Sequence, residues 1–476
     1  MGAGRMDEVD LVDDEVGGGR SAATVDDARR RARRARGARL LRRWWPVPVL
    51  VVAAVVTGQL VGDARARADV ERLRQTPGVL SATLTPPLQG RPWGESWTGG
   101  VAYQGARAEG GLVVGVAHPE LDDGWVVVAL DEATGTEVWR VPVGAPSDGP
   151  GGAGCVAPAE PARSLWCTLT SRADPESPGL APSHLVHVDL VSRSVVAERE
   201  LPPGTTATPV GDLLVETAQV GAELVATASP ADGGAPVWST ALPDPFTGGD
   251  GSGPWVRRVG GHLWVAGGTR TWSLDPGSGA VEASGAALEV LRGDRLATVE
   301  GSSSTRLLGV AGDGTAAAAG QPVPVEVDDG SRPDLVLLHR AVGTLDEQLR
   351  AVDAETGEPV WERPVARSPA SAVLVLDGVV VGSGPDGVWA LDLATGAERW
   401  STPASGPAPD ARLLTDGVAV LRVERDTGSG DDVVAAYRLR DGAALWTTPL
   451  PVEVGYLQAL GGTLVARSGT GTVVIG

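Results

Sequence analysis

The stretch GVWALDLATGAERWSTP, residues 387–403, ends a short apolar run with Asp392, places Gly396 four residues later, and places Trp400 after another four. Two clear copies keep these residue types at the same spacing: Asp131, Gly135, Trp139, Asp353, Gly357 and Trp361. With five looser copies, the figure recurs eight times between positions 131 and 438, at intervals of about 44 residues on average. A period of this length predicts a repeat protein built from short strands.

Each copy predicts a β-hairpin. The Asp can accept hydrogen bonds from backbone N–H groups two or three residues on, and the Thr adds a hydroxyl. The Gly suits the positive-φ position of the turn, and the Trp on the returning strand is a large apolar plate that can pack between neighbouring units. We therefore expect an all-β propeller of about eight four-stranded blades, with seven or nine as alternatives, in which these residues are structural rather than catalytic.

The ring is predicted to occupy residues 95–476. The segment 461–476 gives two strands without a Trp strand, and a strand near residues 91–97 could complete that sheet, which would join the two chain ends in one blade. The remaining boundaries follow from charge and hydropathy: a cytoplasmic charged tail at 1–43, a transmembrane helix at 44–62, and a stalk and linker at 63–94.

The apolar run 44–62 contains no charged residue, and its length just meets the requirement for one membrane-spanning helix. Nine arginines lie between Arg29 and Arg43, so the positive-inside rule places the N-terminus in the cytoplasm and the ring outside. A cleaved signal peptide is the alternative, but the leader that precedes the run is too long for an ordinary one. We therefore predict a single-pass protein of the cell membrane.

The charge of the chain excludes one class of partner. Residues 1–43 contain 11 arginines and 8 acidic residues, whereas the remainder contains 29 and 52. Because phosphate binding requires a surplus of Lys and Arg, we expect no nucleic-acid partner for the predicted exterior part.

The Asp, Thr-Gly and Trp figure resembles the PQQ-like β-propeller repeats of quinoprotein alcohol dehydrogenases and of the outer-membrane assembly lipoprotein family. The layout of one anchor followed by a ring also resembles single-pass actinobacterial membrane proteins with such a propeller. The resemblance extends over roughly residues 76–476, where 76–97 resembles the linker and first strand. It implies the fold more strongly than a function, because such propellers serve many purposes.

The chain departs from what the dehydrogenase resemblance implies. Those enzymes hold calcium with carboxylate and Asn, stack PQQ on Trp, and usually join adjacent cysteines. This sequence contains no Asn, its two cysteines are twelve residues apart, and it has no C-x-x-C-H motif. We therefore expect no catalytic residue, no cofactor and no metal site, with a PQQ-dependent oxidoreductase as a less favoured alternative.

Cys155 and Cys167 flank a Pro-rich loop between two short predicted strands. In an oxidising exterior these two residues predict a disulfide, with two buried free thiols as the alternative.

Other constellations are weak. His184 and His187 would point to opposite faces of a strand, and His187 with Asp189 on one face does not suffice for a metal. The acidic pairs in loops lack the spaced oxygen series of a calcium loop, so we interpret them as solvated turns: Asp122-Asp123, Asp328-Asp329 and Asp431-Asp432.

The sequence thus favours a non-catalytic binding or scaffolding module, in which the ring presents loops to a protein or cell-envelope ligand. The alternative is a ligand sensor that signals through the 43-residue tail.

Overall fold

The structure is a computed structural model that divides into two compact units, residues 1–69 and 70–476. It describes residues 46–92, 106–117, 124–132, 134–144, 150–158, 161–171, 183–202, 204–221, 223–231, 233–242, 254–267, 270–300, 304–310, 314–342, 346–365, 372–385, 387–408, 412–451, 456–460, 462–468 and 471–476.

Helix α1 (Pro46–Arg74) runs without interruption through 29 residues. Among the helices that the structure describes, none is both long enough and apolar enough to cross a membrane. The predicted tail 1–43 and the first two residues of the predicted span lie outside the described residues.

The second unit is an all-β propeller. Strand β1 (Gly90–Pro92) belongs to the last blade, where the ring closes. The strands of the first five blades, in chain order, are β2 (Ala106–Ala108), β3 (Leu112–Ala117), β4 (Val126–Asp131), β5 (Glu137–Pro142), β6 (Pro150–Val156), β7 (Ser164–Ser171), β8 (Ser183–Asp189), β9 (Ser194–Leu201), β10 (Thr205–Val210), β11 (Leu213–Val220), β12 (Glu223–Pro230), β13 (Trp238–Ala241), β14 (Trp255–Val259), β15 (His262–Gly267), β16 (Arg270–Leu274), β17 (Val281–Gly285), β18 (Leu288–Leu291), β19 (Arg295–Glu300), β20 (Ser304–Val310) and β21 (Gly314–Ala319). A 3-10 turn, Arg292–Asp294, joins β18 to β19.

The remaining strands are β22 (Gln321–Pro322), β23 (Val325–Asp328), β24 (Leu335–Val342), β25 (Asp346–Asp353), β26 (Pro359–Val365), β27 (Val373–Leu376), β28 (Val379–Gly384), β29 (Gly387–Asp392), β30 (Glu398–Pro403), β31 (Leu413–Thr415), β32 (Ala419–Arg425), β33 (Asp432–Arg438), β34 (Ala444–Pro449), β35 (Tyr456–Leu460), β36 (Thr463–Ser468) and β37 (Gly471–Ile475). Blades 1 to 5 are β2–β5, β6–β9, β10–β13, β14–β17 and β18–β21, and blade 8 is β31–β34.

The described residues form a ring of nine blades. The sequence analysis favoured eight, with nine as one of its alternatives. The eight sequence repeats correspond to blades 1 to 8, and blade 9 pairs β35, β36 and β37 with β1 from the N-terminal side. Because β1 replaces the usual outer strand, blade 9 needs no fourth-strand hairpin and therefore lacks the Asp, Gly and Trp figure. The predicted joining of the chain ends is present, with Gly90 opposite Ile475.

The segment before β1 is part of the ring unit, which begins at Val70 inside the predicted stalk. Leu80 is 1% exposed, and its N–H donates to the carbonyl of Thr415 at 2.8 Å. The Asp416 carboxylate accepts from the N–H of Leu84 at 3.2 Å. These contacts place residues 80–84 against the first turn of blade 8, which joins β31 to β32.

The core lies between blades, because each sheet buries both of its faces against neighbours. The second and third strands are near-continuous apolar runs, such as VVVALD in β4 and VLVL in β27, and these runs are almost wholly buried. Between blades 1 and 2, Val127 and Val188 are fully buried in one apolar cluster.

Candidate functional site

The repeated Asp, Thr and Gly build the turn between the third and fourth strands of a blade. In blade 6, Asp353 Oδ1 accepts from the N–H of Thr356 at 2.8 Å and from its hydroxyl at 3.0 Å. Gly357 has φ 72° and donates its N–H to the carbonyl of Asp353 at 2.8 Å. The same arrangement of carboxylate and hydroxyl recurs at Asp131 and Asp392.

These hydrogen bonds favour the ionised carboxylates. The backbone N–H of Thr356, assisted by its hydroxyl, holds the pKa of Asp353 below its ordinary value. At Asp392, the guanidinium of Arg399 contributes most and Thr395 adds to it, so that this pKa is lowered as well.

The repeated Trp docks on the turn of the next blade. Trp361 is 8% exposed and donates its indole N–H to the carbonyl of Leu393 at 2.8 Å. A Cβ added at Gly396 would lie 2.6 Å from Cδ2 of the Trp361 ring, so the glycine is required by close approach as well as by its φ of 66°. Trp400 packs in the same way on Gly442 of blade 8.

The recurring residues are thus engaged in holding blade against blade. Two further Trp side chains of the repeat differ only in detail: Trp139 is buried between blades 1 and 2, and Trp238 donates to the carbonyl of Pro276 at 3.0 Å. Gly135 has φ 66°, as the turn requires. What the sequence did not reveal is that the Gly of one blade receives the Trp of the preceding blade.

The expected disulfide is present. Cys155 in β6 and Cys167 in β7 are directly opposite each other and bonded, with Cα atoms 4.0 Å apart. Both residues are buried in the apolar cluster between blades 1 and 2.

The histidines of blade 2 have structural surroundings. The ring of His187 stacks on Trp166 with centroids 4.1 Å apart, and burial lowers its pKa. Asp189 accepts from the N–H of Ser192 at 2.6 Å, in the repeat turn. Within the part of the chain that the structure describes, no group of three or more His, Cys, Asp or Glu side chains is placed to hold a metal. His184 lies in the same strand, three residues before His187, and pairs with Leu169 of β7. Asp122-Asp123 lies outside the described residues.

The ring departs from regularity at blades 6 and 7. The first strand of blade 6, β22, pairs with β24 only at Gln321 and Pro322. After Pro324, which has no N–H to donate, the chain crosses over and β23 pairs in parallel with β27. Blade 6 therefore comprises β22, β24, β25 and β26, and blade 7 is a five-stranded sheet of β23 and β27–β30.

A buried arginine secures this crossover. Arg292, whose side chain is 4% exposed, binds Asp328 at the end of β23 through two hydrogen bonds of 2.8 and 3.0 Å. Its guanidinium also donates to the carbonyls of Ser331 at 2.6 Å and Leu335 at 3.3 Å. Asp328, predicted as a solvated turn residue, thus neutralises an interior cation.

A cavity of about 540 Å³ lies where the first strand of blade 6 leaves its sheet. This volume is within the range of about 300–1,000 Å³ that is typical of ligand sites. Apolar residues of the wall come from β18 and β19 of blade 5, from the crossover, and from β24: Ala287, Leu291, Val299, Val323, Val336 and Leu337.

Polar or charged residues also line this cavity: Glu289, Arg292, Asp294, Gln321 and Asp328. Glu289 lies at its mouth with no hydrogen bond or ion pair to the residues that the structure describes. Although much of the side chain is exposed, burial against the wall raises the pKa of its carboxyl, and the charge of Arg257 offsets this only in part. Asp294 lines the cavity with its backbone, because its carboxylate points to Gly260 of blade 4.

Sequence reasoning missed this cavity and its residues. Two prolines, Pro322 and Pro324, lie where the repeat predicts the inner strand of a blade. Because proline inside a strand argues against regular pairing, they were the signal in the sequence for an interrupted strand. Glu289 and Arg292 belong to no repeat and have no motif around them.

The comparisons with known proteins agree with this fold. Residues 339–475 match the model of a family described as outer membrane protein assembly factor BamB. No curated protein is similar enough in sequence to be matched.

Two solved structures are among those that match this chain, both at low sequence identity. BamB from Moraxella catarrhalis is 17% identical with a TM-score of 0.38, and the match covers 78% of this chain and 95% of that one. Quinohemoprotein alcohol dehydrogenase from Comamonas testosteroni is 15% identical with a TM-score of 0.39, covering 87% and 82%. The match of residues 339–475 to the BamB family model confirms, for that part of the chain, the resemblance to PQQ-like propeller repeats that the sequence suggested.

Proposed function

We propose that this protein is a non-catalytic binding or scaffolding module, whose nine-bladed ring binds a protein or cell-envelope ligand. The observation that carries the proposal is that the repeated Asp, Gly and Trp side chains are engaged in contacts within and between blades, while a cavity of about 540 Å³ remains open at the ring's inner edge. Repetition around a ring serves folding, so binding is left to the non-repeated residues.

The proposal includes an envelope location. The apolar run 44–62 with its arginine-rich leader supports a single-pass anchor with the N-terminus in the cytoplasm and the ring outside. The family model that matches residues 339–475 is named for an outer membrane assembly factor, which is consistent with a role in the envelope.

In-cell crosslinking of the tagged full-length protein, followed by mass spectrometry, tests the binding role. The matched control keeps residues 1–69 and replaces the ring unit, residues 70–476, by an unrelated soluble domain. We expect a protein or envelope polymer that is captured with the ring and lost in the control. Identical capture by both proteins would contradict a binding role for the ring.

A sensor is the second candidate, because the last turn of α1 belongs to the ring unit. Leu73 is 6% exposed in a cluster with Val79 and Val327, and the Arg74 side chain donates to the carbonyl of Asp416 at 3.3 Å. A ligand-dependent shift in the ring would therefore reach the helix end. Deletion of residues 1–23 should abolish the output of a sensor and leave a scaffold unaffected.

A PQQ-dependent oxidoreductase has less support, because the chain has no Asn for the calcium site and no adjacent cysteines. Reconstitution of the full-length protein with PQQ and calcium tests this alternative directly. A bound chromophore with dye reduction would overturn the non-catalytic proposal.

A further inference from the structure

We propose that the cavity between blades 5 and 6 binds a protonated amine or guanidinium group attached to an apolar body. This inference rests on the proposed binding function and names the chemistry of one ligand of the ring. The cation belongs either to a small amine or to a Lys or Arg side chain of a partner protein, two sources that share the same recognition.

The apolar part of the ligand is set by the cavity walls. Val299, Val336 and Leu337 present aliphatic side chains from two neighbouring sheets, and Pro322 and Pro324 close the side from which the strand departs. The backbone edge of β24 is already used at this point, because the carbonyl of Leu337 accepts from Val323 at 3.1 Å and that of Leu335 accepts from Arg292. A ligand body therefore gains by burying apolar surface rather than by adding a strand.

The charge of the ligand is set by the four ionisable side chains that line the cavity. Arg292 is matched by Asp328, and the carboxylate of Asp294 is turned to Gly260. Glu289 remains as the side chain with an uncompensated carboxylate among the described residues that line the cavity. The cation whose charge acts on it, Arg257, lies over the ring of Trp255, with its Cζ 4.7 Å from the ring centroid, and forms no ion pair with the acid among the described residues. A cation at the mouth would therefore complete an ion pair.

The surrounding charge acts in the same direction. The chain after residue 43 contains 52 acidic residues and 29 arginines, so its field attracts cations and repels anions.

The test uses the purified full-length protein and isothermal titration with three probes of equal length: n-hexylamine, 1-hexanol and hexanoate. We expect the amine to bind about tenfold more tightly than the alcohol, as one charge-assisted contact of about 1.4 kcal/mol would give, and hexanoate to be weakest. Glu289→Gln should remove the preference for amine over alcohol. Glu358→Gln, an exposed acid on the outer part of blade 6, is the matched control and should keep it.

A second pair of probes separates the two sources of the cation. The acetylated and amidated tripeptide Leu-Lys-Leu is compared with its Leu-norleucine-Leu counterpart. Preferential binding of the lysine peptide over both its counterpart and hexylamine assigns the site to a partner side chain, whereas preference for hexylamine assigns it to a free amine.

Equal binding of amine and alcohol, an unchanged preference in Glu289→Gln, or no binding of any probe at millimolar concentration would each overturn the assignment. None of these results would affect capture of a partner by the ring in cells, so the failure of this inference is distinguishable from the failure of the proposed function.

Discussion

Blade 6 meets its two neighbours in different ways. Toward blade 7, Trp361 packs on Gly396 and donates to the carbonyl of Leu393. Toward blade 5, the equivalent Gly357 faces Ala316, to which an added Cβ would come within 3.1 Å. The interface without a Trp is also the one where the inner strand leaves its sheet and the cavity opens. One interface is thus fixed by an aromatic wedge. At the other, Arg292 of blade 5 donates to the carbonyl of Leu335 in blade 6 and pairs with Asp328 at the end of the crossover strand β23.

The contrast between these two interfaces indicates where a repeat ring can acquire function. A blade interface that contains the full Asp, Gly and Trp figure has its polar and aromatic groups satisfied by the neighbouring blade. At the interface of blades 5 and 6, which lacks the wedge, the chain path is irregular and the cavity is lined by non-repeated residues.

The largest effect should come from removing the wedge. We expect Trp361→Ala to lower the free energy of unfolding by about 3–5 kcal/mol, because a large buried ring and an indole hydrogen bond are both lost. Chemical denaturation of the full-length protein, followed by circular dichroism, measures it. The matched change at the other interface, Ala316→Gly, should cost only about 0.5–1 kcal/mol. Equal losses at the two interfaces would contradict the comparison.

The second effect concerns the ion pair of Arg292 with Asp328, at the end of the crossover strand β23. Arg292→Met should destabilise the protein by about 3 kcal/mol, since it leaves the Asp328 carboxylate in a partly buried position without its partner. The double variant with Asp328→Leu removes both charges and should recover part of that loss. If the double variant is no more stable than Arg292→Met alone, the pair does not hold the crossover.

The two interfaces of blade 6 can also be compared at two repeat glycines that have nearly the same backbone conformation. Gly396 and Gly357 have φ of 66° and 72°, so a Cβ is similarly strained at both. Only at Gly396 would it also meet the Trp361 ring. Gly396→Ala should therefore cost about 1–3 kcal/mol more than Gly357→Ala. Thermal unfolding of the two variants decides it, and equal midpoints would rule out the close approach as a constraint.

The smallest effect is the pH dependence of the repeat turns. Because the pKa of Asp353 is lowered in the folded protein, its ionised form adds stability above its unfolded pKa of about 3.9, and this contribution is lost as the pH falls through the folded value. Asp353→Asn should thus be less stable than the parent at neutral pH, and the gap should close in acid. A gap that stays constant from pH 7 to pH 3 would contradict this cause.

Much of the ring was predictable because its signal is local. Asp392, Gly396 and Trp400 lie within nine residues, and their turn chemistry and spacing repeat often enough to define a propeller. The blade count was less secure, because blade 9 combines β1 with the C-terminal strands and so lacks the figure that was counted. The disulfide was predictable because the chain contains only two cysteines.

The cavity could not be predicted from the sequence. Glu289 and Val336 are 47 positions apart in the sequence. They line the same cavity because β22 is short and β23 pairs with the next blade. Pro322 and Pro324 indicate that an inner strand is interrupted, but they do not say where the chain goes next.

The repeat, the turn chemistry and the acidic character of the chain after residue 43 follow from the amino-acid sequence, because each depends on residue type and short-range spacing. Only the tertiary structure shows that Gly279, Gly396 and Gly442 receive the Trp of the preceding blade, that Arg292 pairs with Asp328, and that a cavity opens between blades 5 and 6. Those features depend on contacts between sheets, and closing a ring brings together residues whose separation in sequence says nothing of their distance in space.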